Sequence, residues 1–582
     1  MPKPNHFIST KVAQALLASS VTIFSNTSFA YDDALKSPIQ SPDKLPNKSN
    51  IELQQPVTNL TLISTEETQQ TEKIKARVLE VAAEIKTAAE AANVAKNGYY
   101  VERKSYGTGR ETEPPRYVKQ LNKTWLGDYD ALADIDWLDI GLEHRFRYES
   151  RDNDFRRSTQ TIDDPILLRS RAFIAVKNKL DPFRFTLELQ DSRRNHSQFS
   201  RSFDTRDVNL SEVLQAYGEL YFKESFLPKD DLGNDRPISL KYGRHAFELS
   251  DRRLVARNEW RNTTNNFEGL RTHFGQAKND WEIEAFALQP IQRFTVQRDE
   301  KDDSQHFYGL VGDYRGFSKY VTLEPYYYLL KQDGEKVKFD TNGRVALRNT
   351  KIDREIHTAG LRVYNAIPNT NWDYDAAYVK QWGHQDRLNN NGRFIAELDH
   401  DAHAYNAEIG YTFKNAWNPR LSAFYGVATG DKNATDGKNQ RFERLFGFAR
   451  PWSNDDYIQM ENIRTPKIRA EFDVPQIYAS AIGLDSIRVD TGLSRYYLDS
   501  DTDRWNAGAN LRDQTGKSGD HIGDELDLRM RFPINKHVAV NLGYAHFWAG
   551  DFTRTTSRNI AGESNRDAQS DFFYLEISTV AF

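Results

Sequence analysis

A chain of 582 residues with a formal net charge of −5 gives no electrostatic case for nucleic-acid binding. Its mean hydropathy of −0.74 excludes a bundle of transmembrane helices. The absence of cysteine excludes a disulfide framework and fits passage through an oxidising periplasm.

The chain opens as a secretory leader over residues 1–30. Lys3 and Lys11 supply the positive region, Val12 to Phe24 a short apolar core, and Ser28-Phe29-Ala30 the small residues that a signal peptidase reads. The apolar core is too short to cross a membrane as a helix. Residues 31–63 are polar and Pro-punctuated and are expected to form a disordered linker. Ser64-Thr65-Glu66-Glu67 is a capping box. Ile74, Val78, Val81, Ile85, Ala88, Ala92 and Ala95 follow at heptad spacing, so 64–97 is expected to be a periplasmic helix or short coiled coil. Oligomerisation through this helix and a lone amphipathic helix both fit the pattern, because its second half is alanine and buries little area. Residues 98–136 show no periodicity and are expected to be an irregular linker.

From about Trp137 to Phe582 the period becomes two. Ile140, Leu142, His144, Phe146 and Tyr148 alternate with Gly141, Glu143, Arg145, Arg147 and Glu149. Leu526, Leu528, Met530 and Phe532 alternate with Glu525, Asp527, Arg529 and Arg531. One face of each strand is apolar and the other charged. A soluble sandwich would turn the apolar face inward, whereas a membrane barrel turns it to lipid and lines a lumen with the charges. The leader, the strand length and the aromatic alternating end at Phe582 favour the barrel. The expected fold is all-β: a transmembrane antiparallel β-barrel of about eighteen strands preceded by a periplasmic helical segment. Short turns at 178–181, 366–369, 415–418 and 533–536 belong on the periplasmic side. Long polar loops at 191–211, 245–266, 289–305, 431–465, 499–523 and 550–570 belong outside. The aromatic residues, 12% of the chain, are expected in interface girdles. On the last strand, a bulge near Ser578-Thr579 would bring Phe573, Leu575 and Ile577 onto one face with Val580 and Phe582.

The expected inward charges are mixed. Arg145, Arg147, Arg169, Arg171, Arg184, Lys241, Arg271, Arg362, Arg488, Arg529 and Arg531 accompany Glu143, Glu188, Glu219, Glu284, Glu408, Glu525 and Asp527. A guanidinium holds a carboxylate in two parallel hydrogen bonds, and rings of such groups select anions. The same arginines could equally pair with lumen acids across neighbouring strands. No HExxH or GxSxG motif occurs, and no His pair has metal spacing, so no enzyme, metal or cofactor is expected. Asp431 to Gly437 imitates a calcium loop but lacks a Glu at its twelfth position, and is expected to be an ordinary polar outer loop.

Leu240-Lys241-Tyr242-Gly243-Arg244-His245, then Asp251-Arg252-Arg253-Leu254-Val255 and Trp260-Arg261-Asn262-Thr263, resemble the strand-and-loop signature of the alginate-export family of outer-membrane porins. Thr429-Gly430-Asp431-Lys432-Asn433, Leu445-Phe446-Gly447 and the run from Gly523-Asp524-Glu525-Leu526-Asp527-Leu528 to Gly550-Asp551-Phe552 do so as well. The resemblance implies a monomeric barrel that conducts an acidic polysaccharide outward, with periplasmic biosynthesis proteins as partners. It implies that Arg244 sits at the constriction and that Glu525 and Asp527 are acidic lumen positions. On the penultimate strand this chain has Asn541 and Gly543 where alginate-passing members carry lumen arginines. The expectation is therefore a porin for an anionic solute, with export of a polymer such as alginate first. Uptake of small sugar acids and a non-conducting adhesive barrel are the alternatives.

Overall fold

In the computed structural model the described residues are 112–582, apart from 155–161, 199–204, 296, 337–343, 345–351, 390–392, 559–561 and 565–567. The leader, the linker and the heptad helix lie outside the described residues.

Eighteen strands build the wall. In chain order they are β1 (Leu138–Asp152), β2 (Ile166–Val176), β3 (Phe183–Asn195), β4 (Asn209–Phe222), β5 (Ile238–His245), β6 (Phe267–Gly275), β7 (Trp281–Gln292), β8 (Gln305–Ser318) and β9 (Val321–Gln332). The second half comprises β10 (Arg354–Ala366), β11 (Trp372–Leu388), β12 (Phe394–Thr412), β13 (Arg420–Ala428), β14 (Ile463–Val474), β15 (Ile487–Tyr497), β16 (His521–Pro533), β17 (Val538–Ala549) and β18 (Ser570–Val580). Each pairs antiparallel with its sequence neighbour, and β18 pairs with β1, Glu143 opposite Val580 and Asp152 opposite Asp571. The sheet is therefore closed and has no free edge.

The alternation read from the sequence sets the two faces. Leu142, Ile174, Phe185, Leu187, Leu189, Leu310, Leu361, Ile409 and Leu493 are exposed on the outer surface, the band that a barrel turns to lipid. Arg145, Arg147, Arg169, Arg171, Glu188 and Glu525 are buried on the inner one. Short turns at 177–182, 276–280, 319–320, 367–371 and 534–537 alternate with the expected long loops, which fixes the periplasmic side.

Two expectations need correction. First, β18 carries no bulge; its pairing to both neighbours is unbroken from Ser570 to Val580. Phe572, Tyr574 and Glu576 face inward, and Val580 shares their parity and packs on Tyr117, Val118, Phe173 and Ala175. An inward Glu576 is tolerated because Arg145 and Arg147 lie 3.6 and 3.4 Å away. Second, the segment before the barrel is structured from Thr112 onward. Val118–Gln120 forms a short strand on β1, opposite Asp139 to Gly141, where β18 has already ended. Tyr117 donates its hydroxyl to Glu188 at 2.7 Å, and Trp125 stacks on Phe582 with ring centroids 6.3 Å apart.

Candidate functional site

Two outer loops fold into the lumen and meet there. One, residues 246–266, leaves β5 and returns at β6. The other, residues 429–462, joins β13 to β14. They pair as a short parallel bridge at Val255 and Phe446. Phe446 N–H donates to the Leu254 carbonyl at 3.0 Å, Ala256 N–H to the Phe446 carbonyl at 3.2 Å, and Phe448 N–H to the Arg252 carbonyl at 2.9 Å. Gly447 is required at this crossing, because an added Cβ would lie 1.8 Å from the Arg253 carbonyl oxygen.

Aromatic packing holds the pair to the wall. Phe446 meets Phe267 of β6 and Phe307 of β8 at ring separations of 5.0 and 4.9 Å. Phe247, Leu249, Leu254, Trp452, Tyr457 and Ile458 join Phe286, Tyr328, Tyr496 and Phe547 in one buried cluster. The expected interface girdles thus account for only part of the aromatic content, since many of these rings fill the waist. Polar bonds fix the second loop to the far wall. Glu525 accepts from Ser453 Oγ at 2.5 Å and Asn454 N–H at 2.9 Å, while Lys467 and Tyr496 both donate to the Trp452 carbonyl at 2.8 Å.

The expected pore-lining residues separate into groups. Arg145, Arg147, Arg169 and Arg171 form a row on β1 and β2 that grips the first loop. Arg145 donates to the carbonyls of Glu259 and Arg261 at 2.8 and 2.9 Å, and Arg147 to that of Trp260 at 2.5 Å. The Trp260 ring lies between two guanidiniums, Arg147 at 3.9 Å and Arg450 at 3.3 Å from its centroid. The Glu259 carboxylate is bound by Arg171 at 2.7 Å, Arg257 at 2.9 Å and Arg169 at 3.3 Å. Burial acts to raise the Glu259 carboxyl, yet Arg171, Arg257 and Arg169 outweigh it and hold it well below the usual carboxylate range.

Nearer the periplasm the charges pair around the wall. Arg362 binds Asp375 at 2.7 Å and Glu324 at 3.2 Å. Arg420 binds Asp373 and Glu408 at 2.6 and 2.9 Å. Arg488 binds Glu471 at 2.6 Å. Arg529 and Arg531 share Asp490 at 3.3 and 3.1 Å. Lys241 and Arg271 bind Glu113. Arg244 stands apart. It lies three positions after Lys241, on the parity of exposed Tyr242, and bonds the Val213 carbonyl at 3.2 Å and Glu268 at 3.6 Å. It does not share the lumen face, because strand parity reverses at every residue. Glu525 and Asp527 are inward but fully buried, and Glu525 serves as the anchor of the second loop.

Glu113, Glu259, Arg257 and Arg420 belong to this network without a signal in the sequence; Glu576 belongs to it too, and in the sequence it stands out as the residue that counting back from Phe582 would turn to lipid.

Two cavities flank the waist. The outer one, about 430 Å³, is lined by Arg147, Arg151, Arg194, Arg206, Arg261 and Arg444 together with Glu149, Asp163 and Asp207. The periplasmic one, about 710 Å³, is lined by Glu113, Arg116, Lys241, Arg271, His273 and Arg362 among others.

The family model for alginate export matches residues 136–566, which is nearly the whole barrel. The chain belongs to the alginate export family. It is an outer-membrane porin by that membership and by its closed, apolar-banded wall. No curated protein matches it. Among solved structures it is similar to Pseudomonas aeruginosa OccK11 (OpdR), at 14% identity over 76% of this chain and 95% of that one, with a TM-score of 0.46. It is also similar to P. aeruginosa OccK8 (OprE), at 14% identity over 76% and 98%, TM-score 0.46. The P. aeruginosa OccK5 (OpdH) barrel has 12% identity over 76% and 97%, TM-score 0.45.

One loop of this family member is set to respond to pH. Asp299, between β7 and β8, accepts from Phe294 N–H at 3.0 Å and Asn209 Nδ2 at 2.8 Å, and burial pushes its carboxyl up to about 6. A raised carboxyl favours the protonated form in the folded state. The loop is therefore held more firmly as pH falls through about 6 toward the unfolded value of about 3.9. A spin label on Lys301→Cys, in a chain without other cysteines, should lose mobility between about pH 7 and about pH 5. Asp299→Asn should give the restrained spectrum throughout; a pH response that survives this substitution would assign the effect elsewhere.

Proposed function

We propose that this porin passes a hydrophilic, carboxylate-bearing saccharide, first of all an acidic exopolysaccharide such as alginate moving outward. One observation carries the reading: Arg169 and Arg171 of the inner arginine row, with Arg257, already bind a carboxylate, that of Glu259, on the lumen face of the wall. A site that holds Glu259 through charge-assisted hydrogen bonds has the chemistry to hold a uronate in its place. Passage then requires repeated weak binding, which the many partly neutralised guanidiniums supply. Periplasmic biosynthesis proteins are the partners this reading expects, and the barrel is expected to act as a monomer.

The filled waist favours a second reading, uptake of small sugar acids, since a polymer needs both inward loops to withdraw while a monosaccharide needs less room. Single-channel current in a planar bilayer, with reversal potential under a salt gradient and titration by oligouronates of increasing length, separates the two. Anion-selective current blocked more strongly by longer oligouronates supports polymer export. Block by monomeric uronates alone supports uptake, and indifference to both overturns the anionic-saccharide reading. Charge reversal at Arg529 should lower anion selectivity. Reversal at Arg244 should not, because its side chain is off the lumen face.

A further inference from the structure

The periplasmic cavity contains a side chain that belongs neither to the wall nor to its turns. Glu113 comes from the segment ahead of the barrel. Its carboxylate sits 2.9 Å from Lys241 Nζ and 2.9 Å from Arg271 Nη1. These two cations stand directly opposite each other on β5 and β6. Like charges in that cross-strand position repel; Glu284 offsets Arg271 from one side and Glu219 stands opposite Lys241 on the other, and Glu113 is the carboxylate that bridges the two cations. Arg271 is fixed for the purpose: its Nε and Nη2 donate to Glu284 at 2.8 Å each, which leaves Nη1 for a second carboxylate. The Lys241 and Arg271 side chains are 15% and 9% exposed, whereas that of Glu113 is 37% exposed. The donors are built into the wall, and the acceptor lies on the open side.

We propose that Lys241 and Arg271 form a carboxylate subsite for the saccharide at the periplasmic mouth, with Glu113 as its resident stand-in. The proposal rests on the reading that the solute carries carboxylates. A uronate offers what Glu113 offers, plus hydroxyls that can donate to Glu219 and Glu282 on the same cavity. When a uronate takes the site, Glu113 is released. Thr112, Glu113 and Arg116 line the cavity, and the Glu113 contact to the wall is then given up. Arrival of solute and release of Glu113 are thus one exchange of carboxylates, with no bond made or broken, while residues 117–125 stay docked on the barrel.

The test uses the full chain in a planar bilayer, with oligomannuronate added separately on the periplasmic and outer sides. Glu113→Gln should lower the half-blocking concentration from the periplasmic side by on the order of tenfold, the worth of freed charge-assisted hydrogen bonds. Block from the outer side should not change. Adding Lys241→Met to that variant should abolish the gain. An unchanged periplasmic-side block in Glu113→Gln, an equal gain from both sides, or a gain that survives Lys241→Met would each overturn the subsite while leaving the anionic reading in place. Absence of block from either side in every protein would overturn that reading and the subsite together.

Discussion

Excising Arg252 to Thr263 and closing the gap with a short Gly–Ser linker is expected to raise single-channel conductance several-fold. The excised stretch contains Val255, half of the loop-to-loop bridge, as well as the Glu259 and Trp260 groups held by the β1–β2 arginines. Without it, Phe446 loses its backbone partners Leu254 and Ala256. The second loop keeps its wall contacts, among them those to Glu525, Lys467 and Tyr496 and the Phe446 ring on Phe267 and Phe307, but loses its partner across the lumen. The wall should survive, since its closure depends on strand ladders that this loop does not join. A milder variant probes the same contact. Gly447→Val would place a branched side chain where even a Cβ has a carbonyl oxygen at 1.8 Å, so the loops must part. Noisier, larger currents are expected. Unchanged conductance in both variants would mean that the waist is set by other residues.

The second large effect is expected at Glu259. Glu259→Gln keeps volume and some hydrogen bonding but removes the one negative charge shared by Arg169, Arg171 and Arg257. The reversal potential should move strongly toward anions, and anionic block should tighten. The substitution also removes a partner from buried charges, which costs about 3–5 kcal/mol in fully buried pairs. Here Arg169 retains Glu143 at 2.8 Å, so the cost should fall at or below the low end of that range. Glu259→Asp should stay close to the parent protein. The pH dependence follows from the sign of the shift. A depressed folded value means that the contact is complete above the unfolded carboxylate value of about 4.3 and is lost only as pH falls through the depressed one. Acidification to about pH 5 should therefore leave selectivity as it is at neutral pH. If Glu259→Gln leaves the reversal potential in place, permeating ions do not pass the β1–β2 wall.

The strands were legible because lipid and water impose opposite demands on successive residues, and runs such as Ile140 to Glu149 obey both. Loop lengths were legible for the same reason, since turn residues interrupt the alternation. Arginine parity was legible wherever counting started inside a strand, as at Arg145 or Arg362. At Arg244 the resemblance implies a lumen position, whereas counting from Lys241 puts the side chain on the opposite face. The filled waist leaves only a faint trace in the sequence. Tyr326-Tyr327-Tyr328-Leu329-Leu330 is apolar on both parities, which a water-lined strand would not be. The meeting of 246–266 with 429–462 depends on contacts between segments almost two hundred residues apart, and no local period encodes that. Glu113 is not legible in the sequence because its segment has no periodicity, and its role comes from the two cations it meets.

The short strand Val118–Gln120 has a bearing on how the protein is assembled. Along the β1–β18 seam, β18 reaches only to Val580 opposite Glu143, which leaves Asp139 to Gly141 as an unpaired stub of edge. That stub would be a template for any passing strand. The chain's own 118–120 covers it, and Trp125 clasps Phe582 beside it. This cover can be completed only after the last strand has arrived, because Trp125 stacks on Phe582 and donates to the Ala581 carbonyl, and Val580 packs on Tyr117 and Val118. Docking of the N-terminal segment is therefore a late event in biogenesis. A barrel lacking residues 112–125 should insert and close, yet expose at its periplasmic rim a sticky lip where another chain's strand could add.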